Sequence, residues 1–201
     1  GKSTLLRNMI HRISEGIPPS DAKLLVIDYR RQLLGECPAT HLAGYASTKQ
    51  DVQEFISQLV PLLESRMPAG VDDPQTLRDR SWWKGPDIFL VVDDYDLVAT
   101  SSGNPLQGLL ELLPYGRDIG LHMVVARRCT GFSRTSFEPI MARLRELHPT
   151  IFLMSGTAEE GIIAGGRKAR SLSKGRADVI SNQGTHQVVQ FAHHVGEEKT
   201  E

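Results

Sequence analysis

Ile88-Phe89-Leu90-Val91-Val92 sets five apolar side chains in a row, and two carboxylates, Asp93 and Asp94, follow at once. An unbroken apolar run rich in β-branched residues suits a strand buried on both faces. A parallel sheet covered by helices supplies that burial; a half-exposed antiparallel sheet does not. The chain is therefore drawn toward an α/β layering around this strand, with carboxylates at the strand's tip. Such a pair suits phosphoryl chemistry. Asp93 would bind Mg²⁺, directly or through water, and Asp94 stands where a catalytic carboxylate orients the attacking water. A polar strand end closing a turn is the plainer alternative.

The first residues weigh on that choice. Gly1-Lys2-Ser3-Thr4 runs straight into Leu5-Leu6-Arg7-Asn8-Met9-Ile10, which reads as the second half of a P-loop, G-x-x-x-x-G-K-[ST], and its helix. Unpaired loop amides and the helix dipole both favour an anion there, so Gly1, Lys2, Ser3 and Thr4 are candidate nucleotide-binding residues. Lys2 would reach the β/γ-phosphates as a point charge, and the Ser3 hydroxyl would hold Mg²⁺. With GKST upstream, Asp93-Asp94 reads as a Walker-B pair, and ATP with Mg²⁺ is the expected ligand. The strand that should precede the loop and the loop's first five residues are not in this sequence. The expectation is a parent protein that continues upstream.

At 201 residues the chain can bury the core of one α/β domain. A formal net charge of −1 gives no global basic field to hold nucleic acid. Cys37 and Cys129 are far apart and lack a C-x-x-C partner, which suits two free thiols in a reducing cytoplasm. No apolar run approaches the ~18 residues of a membrane helix, and no signal-peptide pattern is visible. Any membrane attachment is expected outside this segment. His193-His194 has no second pair to complete a metal site. Ser101, Ser102, Ser133 and Ser136 have no base nearby in motif form, so none is assigned as a nucleophile.

Along the chain, the first helix should run to about Glu15, and Gly16-Ile17-Pro18-Pro19-Ser20 breaks it. Lys23 to Asp28 reads as a second buried strand ending in a carboxylate. Thr48 and Asp51 have the form of a capping box. Val52, Phe55, Ile56, Leu59, Val60 and Leu63 then mark an amphipathic helix to about Met67, kinked or split at Pro61. Pro68 to Trp83 reads as a polar connection. Asn104 and Pro105 open a helix with Leu106, Leu109, Leu110 and Leu113 on one face. Leu121 to Ala126 is another apolar strand, ending at Arg127-Arg128. Phe137, Ile140, Met141, Leu144 and Leu147 mark a further helix. A short strand is expected at Ile151 to Met154, a short helix at Thr157 to Ala164 and a basic loop at Gly165 to Arg176. Short strands should follow near Ala177 to Ile180 and His186 to Ala192. Strands alternating with helices give parallel βαβ units in a three-layer α/β sandwich. The expected domain covers 1–195, with a mobile tail at 196–201.

Four segments, in order, resemble the FtsK/SpoIIIE ATPases: Gly1-Lys2-Ser3-Thr4, Val92 to Val98, Gly116-Arg117-Asp118-Ile119-Gly120-Leu121-His122-Met123-Val124-Val125-Ala126, and Ser173-Lys174-Gly175-Arg176-Ala177. Within that family, Asp93-Asp94-Tyr95-Asp96-Leu97-Val98, Ala126-Arg127-Arg128 and Leu25-Val26-Ile27-Asp28-Tyr29-Arg30-Arg31 are most similar to EccC. EccC proteins are membrane-anchored motors of type VII (ESX) secretion that carry several such ATPase domains in series. The closing residues resemble the last of these. The resemblance implies a RecA-like P-loop NTPase fold with a mainly parallel sheet. Its first strand is central, so that leaving it out exposes two inner edges. It also implies a ring or stacked oligomer in which a neighbour's arginine completes the site, for which Arg117, Arg127, Arg128, Arg143 and Arg145 are candidates. Implied partners are other ATPase domains of the same motor and secreted protein substrates, at the inner face of the cell membrane through the parent complex. Trp82 and Trp83 are a candidate surface for a secreted peptide.

Two departures from the family pattern bear on activity. Active motors of this type end the strand in Asp-Glu; here Asp94 is one methylene shorter, and reach to water decides general-base function. Arg127-Arg128 stand where the family shows Thr-Gln, a polar pair that senses the γ-phosphate. The expectation is retained Mg-ATP binding with slow or absent hydrolysis. The alternatives are an active protein-export motor, an FtsK-type DNA translocase and a fold kept without nucleotide. DNA is disfavoured, because the one basic cluster, Arg167, Lys168, Arg170, Lys174 and Arg176, is confined to a single loop.

Overall fold

The computed structural model describes residues 1–132 and 138–192. Phe137, Ser133, Ser136, the His193-His194 pair and the expected tail at 196–201 lie outside them. Strands β1 (Ala22–Ile27), β2 (Leu42–Ala46), β3 (Asp87–Val92) and β4 (Leu121–Val125) form one parallel sheet in the order β2-β1-β3-β4. The register aligns Ile27 with Val92, so the carboxylates after β1 and β3 emerge side by side. Among the described residues, helices α1 (Lys2–Gly16), α2 (Lys49–Glu64), α3 (Pro74–Asp79), α4 (Tyr95–Val98) and α5 (Pro139–Glu146) accompany this sheet.

The period of two along each strand sorts the core into two sides. Leu24, Val26 and Val91 face α1, whose Leu6 and Ile10 are buried against them. Ile27, Ile88, Leu90, Val92 and Leu121 face the other way, onto Val52, Ile56, Leu59 and Leu63 of α2 and Ile140 and Met141 of α5. Each such side chain contributes roughly 1.5–3 kcal/mol when fully buried. The result is the expected three-layer α/β sandwich.

Local departures from the sequence reading have physical causes. Pro61 does not split α2, which runs unbroken from its Thr48–Asp51 capping box to Glu64. Burial of Leu59 and Leu63 on either side offsets the roughly 3 kcal/mol an internal proline costs. The segment after Asn104 is not an α-helix. The Asn104 side chain accepts from the Leu106 amide at 2.9 Å, and the chain then makes two 3₁₀ turns, Gln107–Leu109 and Leu113–Tyr115. Leu106, Leu109 and Leu113 are nevertheless buried, so the apolar face forms while the winding is 3₁₀ and not α. Thr157 to Ala164 is likewise not a helix. Gly161, at φ 71°, turns a short 3₁₀ stretch into β6 (Ile162–Ala164), which pairs with β7 (Arg167–Lys168) inside the expected basic loop. Two elements had no sequence signal read for them. The edge strand β2 contains Gly44, where an added Cβ would come within 2.5 Å of the Phe55 ring. Helix α3 is capped by Asp73 within the expected polar connection.

A second, antiparallel sheet joins β5 (Ile151–Met154), β8 (Arg176–Ile180) and β9 (His186–Gln190) in the order β5-β8-β9. Among the described residues, one edge of β4 and one edge of β5 pair with no strand. A groove of about 860 Å³ separates them, walled by Met123–Ala126 and Ile151–Met154 and floored by Leu5, Leu6 and Met9 of α1. Cys37 and Cys129 are both free thiols. No described helix is long and apolar enough to cross a membrane.

Candidate functional site

At the C-terminal tips of a parallel sheet, strand ends and helix N-termini converge, and ligands of α/β proteins bind there. Here β3 ends at Val92, just before Asp93, and α1 begins at Lys2. Gly1 is the N-cap of α1; no side chain caps the helix and no acid occupies its first turn. Its first amides and its dipole thus offer positive potential to an anion. A Cβ at Gly1 would lie 3.0 Å from the Met154 sulfur, so this close approach suits glycine. Thr4 lies in the first turn, half-buried.

Ser3 and Asp93, ninety positions apart in sequence, meet directly: Ser3 Oγ donates to Asp93 Oδ2 at 2.7 Å. Asp93 is buried at 1% exposure, and its other oxygen accepts the Asp94 amide at 2.8 Å. Asp94 takes the left-handed conformation (φ 42°, ψ 55°), which aspartate tolerates better than most residues. That turn is held by the Tyr95 amide donating to the Ala126 carbonyl at 2.9 Å. The Asp94 carboxylate ends 3.6 Å from Lys2 Nζ. The structure therefore gathers Gly1, Lys2, Ser3, Thr4, Asp93 and Asp94 at one tip. A hydroxyl paired with a carboxylate is a hard-oxygen donor set, suited to Mg²⁺ that takes its remaining ligands from phosphate and water. No cluster of three or more His, Cys, Asp or Glu able to hold a metal exists among the described residues.

One residue at this tip went unread in sequence. Arg30 Nη1 lies 3.4 Å from Asp94 Oδ2, while Lys2 contacts the other oxygen, Oδ1. Asp28, the carboxylate ending β1, organises its loop. Buried at 1% exposure, it accepts from the Leu33 amide at 2.6 Å, the Arg30 amide at 3.2 Å and the Tyr45 hydroxyl at 2.8 Å. Burial first, then the hydrogen bond to Asp28, pushes the Tyr45 hydroxyl well above its ordinary pKa. The available signal was the strand-end position of Asp28, which implies a loop beside Asp93.

Below the tip, Tyr95 donates to Glu138 Oε2 at 2.6 Å, and Asn104 donates to both Tyr95 and Glu138. Glu138 also caps α5 by accepting from Ile140 and Met141. Burial raises the Tyr95 pKa, with Glu138 adding to it. Burial also pushes Glu138 upward, but the bonds from Tyr95, Asn104 and the α5 amides outweigh it, leaving Glu138 below its usual value.

The candidate arginines sort differently. Arg127 is 9% exposed, bonds Asp96 at 2.9 Å and lies over Phe132 at 5.3 Å, so it holds the turn after β4. The Arg128 amide bonds Asp96 at 2.9 Å. Arg143 pairs with Glu146, and Arg145 lies over Phe132. The carbonyl of Arg117 accepts from Arg80. Trp82 and Trp83 donate their indole N–H groups to the Arg66 and Asp118 carbonyls at 2.7 and 2.9 Å, and Arg66 stacks on Trp83 at 4.2 Å. Both indoles act as packing residues here. Lys2, Arg127, Arg128, Arg145, Lys174 and Arg176 line the groove together with the carboxylate of Glu160.

No protein-family model matches the chain. It is 46% identical over 192 residues to the ESX-4 secretion system protein EccC4 of Mycobacterium tuberculosis, covering 96% of this chain and 16% of that protein. It is 41% identical over 193 residues to the ESX secretion system protein EccC of Thermomonospora curvata, covering 96% of this chain and 15% of that protein. The chain thus spans only a small part of these relatives. Among solved structures, the cytoplasmic domain of the Thermomonospora curvata type VII secretion ATPase EccC superposes with a TM-score of 0.93 at 40% identity, covering 98% of this chain and 23% of that one. A structure of ATPases 2 and 3 of the same protein in complex with a signal sequence peptide gives the same score and identity, covering 35% of that chain.

Proposed function

This chain belongs with the ATPase domains of EccC, the FtsK-like proteins of type VII secretion, and on that footing we propose that it binds Mg-ATP at the N-terminus of α1. Lys2 takes the β/γ-phosphates, the Gly1–Thr4 amides cradle them, and Ser3 with Asp93 holds the metal. Bound Mg²⁺ supplies charge neutralisation between the phosphate oxygens. Asp94 occupies the place of the water-orienting carboxylate. The observation that carries the reading is the 2.7 Å contact between Ser3 and Asp93 with Lys2 beside Asp94.

Two features support slow or absent hydrolysis. Asp94 is short and already holds two cations. Arg127 is committed to Asp96 and is not free to follow a γ-phosphate. The domain then acts as a regulatory nucleotide module of an export motor, turning over ATP at below about 1 s⁻¹, the low end of the ordinary enzyme range. Its domain unit covers 1–195. Its partners are neighbouring ATPase domains of one motor, in a ring or stack, and secreted protein substrates, at the inner face of the membrane through the parent complex. The signal sequence peptide bound to the Thermomonospora curvata protein supports the substrate assignment. DNA is the weaker partner: Arg170 of the basic cluster is tied to Asp178 and Arg176 to Gln190, and the net charge is −1. Equilibrium titration with Mg-ATP tests the site. Lys2→Ala should weaken binding at least about tenfold, since a charge-assisted phosphate contact is lost. Equal affinity in both proteins removes Lys2 from the site.

A further inference from the structure

Asp94 is held from two sides. Its side chain is only 11% exposed, with Lys2 Nζ at 3.6 Å on one oxygen and Arg30 Nη1 at 3.4 Å on the other. A carboxylate so enclosed is costly to strip of its partners. Yet Lys2 is also the residue that a phosphate must recruit. When Lys2 turns to a polyphosphate, Asp94 loses one partner and gains a polyanion nearby. Arg30 is the cation left to it. Its loop is fixed by the buried Asp28, whose carboxylate accepts the Arg30 and Leu33 amides, so Arg30 is presented from a set position.

We propose that Asp94 is a built-in stand-in for phosphate, which nucleotide must displace from Lys2, and that Arg30 retains Asp94 after the exchange. Arg30 is thus a positioning residue, acting on Asp94 and not on the ligand. It has two consequences. It assists nucleotide entry, because Lys2 can leave Asp94 without orphaning it. It also restrains hydrolysis. In that reaction the water oxygen bonds the γ-phosphorus, the bridging oxygen leaves on ADP with its electron pair, and the water proton needs an acceptor. With one oxygen occupied by the Arg30 guanidinium, Asp94 has less capacity left to orient that water. This inference rests on the proposed nucleotide site.

The test is calorimetric titration with Mg-ADP, whose affinity does not depend on turnover, in the full natural chain. The part of binding lost in Lys2→Ala isolates this site. Arg30→Ala should weaken that part roughly threefold, and Asp94→Asn should strengthen it by a similar factor, the scale of one partly exposed ion pair. In the Asp94→Asn background, Arg30→Ala should change nothing. Steady-state ATP turnover should split accordingly, with Arg30→Ala raising both kcat and KM. Equal loosening by Arg30→Ala with and without Asp94 would mean that Arg30 attracts phosphate directly, which overturns the proposal. So would unchanged affinity in Arg30→Ala while Lys2-dependent binding persists. Absence of any Lys2-dependent binding overturns the site itself and Arg30's role with it.

Discussion

Asp94 sits at the end of β3 with a left-handed backbone and a carboxylate closed between Lys2 and Arg30. Its reach is the residue-level cause proposed for slow or absent hydrolysis. Asp94→Glu adds one methylene and should raise ATP turnover about tenfold or more, the lower scale of positioned acid–base catalysis. A rate unchanged by that substitution, at equal ATP affinity, would show that reach is not what limits the site. That Lys2 and Ser3 come together with Asp93 and Asp94 was legible in sequence, because each motif has a fixed chemistry. Arg30 was not, because nothing in its own spacing says that a loop after β1 folds back beside β3. That information lies in the parallel register of β1 with β3 and in the buried Asp28.

Elements couple to this tip through buried polar groups. Tyr95 begins α4, and its hydroxyl joins Asn104 to Glu138, the cap of α5. Tyr95→Phe removes two bonds, the one donated to Glu138 and the one accepted from Asn104, and leaves Glu138 short of a donor, so it should cost about 1–2 kcal/mol in urea unfolding. Tyr115→Phe, on an exposed side chain, should cost nothing measurable. In the antiparallel sheet, Asp178 of β8 is buried and accepts two bonds from Arg170 at 2.9 and 2.8 Å and one from His186 at 2.8 Å. The Arg170 bonds, against the opposing effect of burial and with help from His186, hold this carboxyl well below its usual 3.8. A depressed folded value stabilises above the unfolded pKa and loses that contribution as pH falls through the folded one. Asp178→Asn should therefore lower stability by about 2 kcal/mol at pH 7, allowing for the exposure of Arg170. The deficit should shrink as pH is taken below 3.8; a deficit independent of pH would assign the loss to packing instead. Strands with unbroken apolar runs were legible, as was the capped α2. The 3₁₀ turns after Asn104 and the β6–β7 hairpin were not, since short apolar stretches with Gly and Pro fit several windings, and tertiary contacts choose among them.

For the molecule as a whole, the sequence order of strand, helix and strand was enough for a three-layer parallel fold, because buried parallel strands leave few topologies open. The antiparallel second sheet was less visible: its strands are short, and pairing of β5 with β8 spans the loop between them. The groove between β4 and β5 opens beside Lys2, so fold and site share one wall. The central claim is that α1 and β3 meet at a single metal–polyphosphate site. Crystals of the full natural chain grown with Mg-ATP examine it directly. The account predicts density for a triphosphate against the Gly1–Thr4 amides and Lys2, with a metal between the Ser3 hydroxyl and Asp93. Nucleotide density elsewhere on this domain, with Lys2 still on Asp94, would contradict it.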